Sequence, residues 1–391
     1  MPHSTESELE IKPIDPGQDS NVKFGAFISG VDLNNLDDAT FQAIRQALYE
    51  NSLVIIKNQQ KLTPTNHFNF VRRFDPEAAA VHGHGSVDRM KEARKDGGKS
   101  LLALGSVHGI PEAPGVRMIG AGYQGDDHYG LKGVTMDPTS ILKTQVDPPT
   151  PEEISAGVTR FGRWHIDCAM YDLEPPKVTA LRCVKLPDQG LKQTVVWDDG
   201  SGAKLENVRP GRTAYFSCEQ LYEMLTPEEK AISENSYVTY SPHPYQWISR
   251  CKQDPIGITI AQGQGLELKD EELPPVDEKK VKKYPMVWHN EVTGKKAFMV
   301  HSIIAKKLHL KSSPTDEEKV IDDVDEVRAW LYGFDRRMVK PRNVLIAPYE
   351  EGDVCVWHNR GMKHAFLEYP LEKLGARTMH QVNIAASCPP S

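Results

Sequence analysis

The chain has 391 residues, 39% of them hydrophobic and 26% charged, which is the balance of an ordinary globular protein with a sizeable core. Its net charge of −7 offers no basic field for nucleic acid, and no run approaches the ~20 apolar residues of a membrane span. Six cysteines are scattered with no CxxC pair, so neither a zinc site nor a dithiol redox site is signalled. Free cysteines and a polar start, MPHSTESELEIK, lead us to expect a cytoplasmic protein.

Residues 1–21 are polar and rich in Pro, Ser and Asp, which predicts a flexible N-terminal arm. The stretch Phe24 to Leu33 reads as a strand with a glycine-marked turn. Asp37 and Asp38 can cap a helix whose apolar stripe is Phe41, Ile44 and Leu48. Ser52 to Gln59 is a β-branched run, hence a buried strand, and Thr63-Pro64 opens a second helix bearing Phe68, Val71 and Phe74. Residues 76–160 hold only brief apolar runs among Gly, His, Lys, Asp and Pro, which predicts an irregular, lid-like region. Within it, His82-Gly83-His84 reads as a polar loop.

Several short strands follow from Trp164 to Phe216, with Asp198-Asp199-Gly200 as a turn. Residues 219–345 are expected to form a helical insertion, containing a helix started by Thr226, a hairpin turning at Thr293-Gly294, and a stripe of Val324, Val327, Leu331 and Phe334. The last sixty or so residues return to strands. We expect one catalytic domain over 22–391.

The sharpest chemical signal is Trp164-His165-Ile166-Asp167. Side chains at i and i+2 of a strand share a face, so His165 and Asp167 can offer an imidazole nitrogen and a carboxylate oxygen to one metal. Two histidines and one carboxylate on one side of an octahedral ion leave positions open for chemistry, as in non-haem iron oxygenases. The tripeptide alone is weak and needs a distant partner; His364, after the turn Asn359-Arg360-Gly361, is the candidate. Arg377 follows it in the next strand, and an arginine fork suits the distal carboxylate of a keto-acid co-substrate.

The ordered set His165, Asp167, Thr194, His364 and Arg377 resembles the taurine dioxygenase superfamily of iron(II)/2-oxoglutarate enzymes. The opening GAFISGVDL, the LVIIKNQ strand, the Trp288 to Phe298 hairpin and the WxNRxxxH turn all match it in order. Within it, RWHIDCAMYDLEPPKVTAL, QTVVWDDGSG, SPHPYQWIS, EEGDVCVWHNRG and HQVNIAAS look like the fungal xanthine dioxygenases. The resemblance implies a double-stranded β-helix (jelly-roll) core, mainly β with flanking helices. It implies Fe(II) held by His165, Asp167 and His364, 2-oxoglutarate held by Arg377 and Thr194, O2 as oxidant, and a small-molecule substrate. His358 falls at a turn position of that family and is not assigned to the metal.

Alternation from Arg377 aims Met379, Gln381 and Asn383 at the same face. Gln381 and Asn383 each present a donor and an acceptor, which suits an oxopurine edge. Val382 stands where the xanthine subfamily usually has cysteine, and Lys143, Glu152 and Glu153 are further candidates upstream. The expected reaction is therefore oxidation of xanthine to uric acid. The alternatives are a related enzyme acting on a free amino acid, a hydrolytic zinc enzyme, and a non-catalytic ligand-binding relative. Oligomeric state is not legible.

Overall fold

Alternating burial along a few short strands builds the molecule. The computed structural model describes residues 9–85 and 107–391. Its principal element is a nine-stranded sheet. Across it run Glu10–Pro13, Ala26–Ser29, Leu53–Ile56, Val354–His358, Val178–Lys185, Arg377–Asn383, Ala113–Tyr123 and Val107–Ile110, with Thr135–Met136 paired off this path. Only the Ala26–Ser29 and Leu53–Ile56 pair is parallel; the other pairings in this sheet are antiparallel.

Each central strand splits its side chains between two cores, as period-2 geometry requires. Val54, Ile56, Val178, Ala180, Val354, Val356 and Val382 face one way and pack on the helices Asp38–Asn51 and Pro64–Arg72 through Phe41, Ile44, Leu48, Phe70 and Val71. Leu53, Ile55, Leu181, Cys183, Cys355, Trp357 and Met379 face the other way and share a core with Tyr215, Leu345 and Met362. Those last three belong to a smaller sheet of Leu345–Ile346, Thr213–Ser217 and Met362–Phe366. A further three-stranded sheet joins Lys204–Val208, Gln193–Val196 and Val158–Thr159. The outer face of these sheets is closed by the largest core, which includes Trp164, Trp197, Phe216, Trp247, Phe298 and Leu331.

The helix starts follow capping chemistry. The Asp37 carboxylate accepts from the Thr40 amide, Thr63 from Asn66, and Thr226 forms a capping box with Glu229. Gly294, at φ +71°, turns the hairpin of Val287–His289 and Lys296–Phe298.

Three expectations are corrected. The N-terminal arm is not loose throughout, because Glu10–Pro13 pairs with Ala26–Ser29 and Ile14 is buried; residues 1–8 lie outside the described residues. The region 76–160 is more ordered than its composition suggests. Ala113–Tyr123 is an integral strand of the main sheet, paired with Arg377–Asn383, while 86–106 lie outside the described residues. The insertion 219–345 is mixed rather than helical. Besides the helices Pro227–Glu234 and Val324–Met338, it holds a four-stranded sheet of Lys283–Pro285, Tyr237–Tyr240, Ala305–Leu310 and Lys319–Ile321. Among the described residues no helix is long and apolar enough to cross a membrane.

Candidate metal centre and co-substrate cavity

From Trp164 to Cys168 alternate side chains go to opposite sides of the chain. Trp164, Ile166 and Cys168 enter the large core, where Trp164 lies 5.0 Å from the Phe161 ring and 4.9 Å from that of Phe216. His165 and Asp167 point the other way, into a cavity of about 290 Å3. His364 reaches the same point from the Met362–Phe366 strand, because the two histidines are backbone partners: each amide donates to the other's carbonyl at 3.0 Å.

The three ligating atoms lie within 4.8 Å of one another. Asp167 Oδ1 is 3.9 Å from His165 Nε2 and 3.8 Å from His364 Nε2. The other carboxylate oxygen, Oδ2, accepts from Gln381 Nε2 at 3.2 Å. His165 Nδ1 is 2.8 Å from the Arg163 carbonyl, so it carries the proton and leaves Nε2 as a lone-pair donor. Burial pushes the pKa of both His165 and His364 down, which keeps the imidazoles neutral. Asn359, from the turn that also carries Arg360 and Gly361, fixes Asp167. Its Oδ1 accepts from the Asp167 amide and its Nδ2 donates to the Asp167 carbonyl, each at 3.0 Å. Two neutral nitrogens and one carboxylate, converging on one point, are the donor set that suits a divalent first-row metal with open positions.

One end of the cavity is cationic. Arg377 lines it, its Nε donating to the Gly211 carbonyl at 2.8 Å and Nη2 to the Tyr349 hydroxyl at 3.4 Å. Arg212, Thr213 and Tyr369 line it too. Arg212 Nε and Nη1 and the Tyr369 hydroxyl are buried with no hydrogen-bond partner among the described residues. Buried donors of this kind need an acceptor, and a carboxylate supplies one.

The structure does not bring every expected residue to this cavity. Thr194 is not among its lining residues. Gln193, Val195 and Trp197 take the buried face of their strand, so alternation turns Thr194 the other way. Asn383 is fully buried outside the lining; its Oδ1 accepts from the Gly83 amide at 3.0 Å. Lys143, Glu152 and Glu153 are exposed and line nothing here, and Glu153 completes the capping box of Thr150. Gln381 does line the cavity.

Conversely, His82-Gly83-His84 is no flexible loop. Asn383 grips Gly83, Arg117 Nη2 donates to the Gly85 carbonyl, and His82 bridges to Ile384, so the segment is pinned and His84 enters the cavity. Its ring centre is 6.0 Å from that of Tyr245, another lining residue. Arg163 also lines the cavity. The signal for it was present, since Arg163 precedes His165 by two positions and must share its face. No local pattern announces His84, Arg117 or Tyr245, which reach the site through long-range packing.

The fold and this donor set define a class, the non-haem metal oxygenases with a two-histidine, one-carboxylate face. Comparison with known proteins narrows it. A family model described as taurine catabolism dioxygenase TauD, TfdA family matches residues 117–382, and the chain belongs to that family. It is 38% identical over 382 residues to the alpha-ketoglutarate-dependent dioxygenase bsc9 of Alternaria brassicicola, covering 97% of this chain and 94% of that one. It is 39% identical over 378 residues to the alpha-ketoglutarate-dependent xanthine dioxygenase xanA of Emericella nidulans, covering 97% of each. A solved taurine dioxygenase from Burkholderia xenovorans shares the fold, with a TM-score of 0.54 at 17% identity, over 97% of this chain and 92% of that one. The protein is an alpha-ketoglutarate (2-oxoglutarate)-dependent dioxygenase, with Fe(II), 2-oxoglutarate and O2 as its cofactors.

Proposed function

We propose that this enzyme oxidises xanthine to uric acid, with 2-oxoglutarate converted to succinate and CO2. The observation that carries the reading is the near-full-length similarity to xanthine dioxygenases, joined to an amide, Gln381, beside the metal ligands. At about 290 Å3 the cavity is at the small end of the ~300–1,000 Å3 typical of ligand pockets, so co-substrate and a compact second molecule must share it.

In this reading His165, Asp167 and His364 hold Fe(II), which supplies oxygen activation once 2-oxoglutarate is bound. Arg377, with Arg212 and Tyr369 beside it, takes the distal carboxylate of 2-oxoglutarate and so fixes the co-substrate's direction. Gln381 holds Asp167 Oδ2, leaving Oδ1 for the metal, and turns its amide oxygen to the substrate. The apolar wall of Val107, Ile119, Leu181 and Phe366 excludes water from the reacting atoms. We further infer that the large sheet and its two smaller partners form a double-stranded β-helix, within a single catalytic unit over 22–391.

A second reading keeps the chemistry and changes the substrate, because a relative as similar as bsc9 carries no xanthine in its name. The alternative substrate class is a free amino acid. The test is anaerobically reconstituted enzyme with Fe(II), 2-oxoglutarate and ascorbate, exposed to O2 with xanthine or with an amino-acid panel. Uric acid formed in step with succinate supports the first reading. Succinate that rises with an amino acid and ignores xanthine replaces it with the second.

A further inference from the structure

Arg163 is neither a proposed metal ligand nor the proposed partner of the co-substrate's distal carboxylate. It lines the same cavity as His165 and Asp167, two and four positions further along the chain. Its Nε and Nη2 are buried with no hydrogen-bond partner among the described residues, and no carboxylate pairs with it there. Its backbone is fixed: the Arg163 carbonyl meets His165 Nδ1 at 2.8 Å, and the flanking Gly162 and Trp164 amides bond to Phe366 and Gly257. The guanidinium is thus carried on a braced segment next to the proposed metal ligands. A buried cation left unpaired is costly, so such a group is kept for a partner that arrives.

In the reading above, the distal carboxylate of 2-oxoglutarate already has its cation in Arg377. Arg377 is surrounded by Tyr349, Cys183 and Tyr369, whereas the side chains around the Arg163 charge are Tyr245 and Cys251. Tyr245 in turn meets His84, their ring centres 6.0 Å apart, and Arg163, Tyr245 and His84 all line the cavity. The Tyr245 hydroxyl is already committed to the Cys168 carbonyl at 2.8 Å, leaving its ring, and the Arg163 fork, to meet the substrate.

We propose that Arg163 is the substrate anchor and that the substrate presents it with an anionic or strongly acidic edge, either a carboxylate or an ionised oxo-heterocycle. This rests on the metal and co-substrate assignments above, and on xanthine only for the choice of first probe. A planar fork that donates two parallel hydrogen bonds suits both groups. A neutral, wholly apolar substrate would leave the guanidinium desolvated and unpaired.

The test uses wild type, Arg163→Gln and Arg163→Lys, loaded with Fe(II) without oxygen and titrated calorimetrically with 2-oxoglutarate and then with xanthine. We expect Arg163→Gln to weaken xanthine about 10- to 100-fold, Arg163→Lys to recover part of that loss, and 2-oxoglutarate affinity to stay unchanged. Unchanged xanthine affinity, or a loss of 2-oxoglutarate affinity instead, overturns the proposal. If wild type binds no xanthine, the purine reading alone fails, and the titration passes to free amino acids and small carboxylic acids. Binding weakened by Arg163→Gln then upholds the anchor, and binding indifferent to it does not. The melting temperature of unliganded Arg163→Gln decides independently of any ligand. It should equal or exceed that of wild type, and a drop of several degrees would mark a structural arginine and overturn the anchor.

Discussion

In the proposed centre, Gln381 prepares a ligand without itself being one. Its Nε2 holds Asp167 Oδ2 at 3.2 Å, which leaves Oδ1 facing both imidazoles. Loss of such an outer contact typically costs 10- to 100-fold in metal affinity or activity. Gln381→Leu should therefore weaken Fe(II) binding by about that factor with the fold intact, as read by metal titration beside a melting curve. Asp254 is a second residue with a measurable signature. Burial raises its carboxyl from the ordinary 3.8 to about 6, although the Ile258 and Thr259 amides donate to it. A carboxylate with a raised folded-state value favours folding below its unfolded value, and that contribution is lost as pH rises through about 6. Asp254→Asn keeps an acceptor for the two amides and removes the charge. It should be more stable than wild type at pH 7, by about 2–3 kcal/mol at about 1.4 kcal/mol per pH unit. The gain should vanish near pH 4 in denaturant titrations.

The elements that carry the proposed ligands are held from behind. Lys363, one residue before His364, points away from the cavity into the large core and pairs with Asp335 of the Val324–Met338 helix at 2.7 Å. Ser302 Oγ completes the group at 2.5 Å from Asp335. Both charged side chains are buried, so removing one strands the other. Lys363→Met should cost about 3–5 kcal/mol, and Lys363→Met with Asp335→Leu should recover much of it; chemical denaturation of the single and double variants measures both. A single-variant cost below about 1 kcal/mol would show the pair to be dispensable. Gly257 braces the segment that carries His165 and Asp167. A Cβ there would meet the Gly162 carbonyl oxygen at 2.1 Å, and its own φ is +76°, so only glycine lets this loop lie against the strand leading to His165. At this scale the sequence was readable wherever a local rule acts: Asp37, Thr63 and Thr226 at helix starts, Gly294 in a hairpin, alternation at His165 and Asp167. It was not readable where placement depends on distant pairing. Thr194 was expected at the co-substrate, yet the side buried by its strand belongs to Gln193 and Val195. Asn383 shares the Gln381 face and still ends on Gly83 rather than in the cavity, because the pinned His82–Gly85 segment crosses that end of the strand.

Across the whole molecule, the large sheet, the smaller sheets and the mixed insertion converge on one cavity. The proposed metal ligands come from the segment before Val178–Lys185 and from Met362–Phe366, and the proposed co-substrate cation from Arg377–Asn383. The order of these parts along the chain was legible, because His165, Asp167, His364 and Arg377 are separated by recognisable strands and turns. The outer wall was not, since His84 and Arg117 come from a region whose composition reads as irregular and Tyr245 from an insertion expected to be helical. The central claim is that His165, Asp167 and His364 form the one metal centre of the described residues, with His84 beside it but outside it. Equilibrium dialysis of Mn(II), as a redox-stable stand-in for Fe(II), against wild type, Asp167→Ala and His84→Ala tests it most directly. One ion per chain is expected in wild type and in His84→Ala, and none at the same concentration in Asp167→Ala. One ion retained by Asp167→Ala, or lost from a folded His84→Ala, would contradict it.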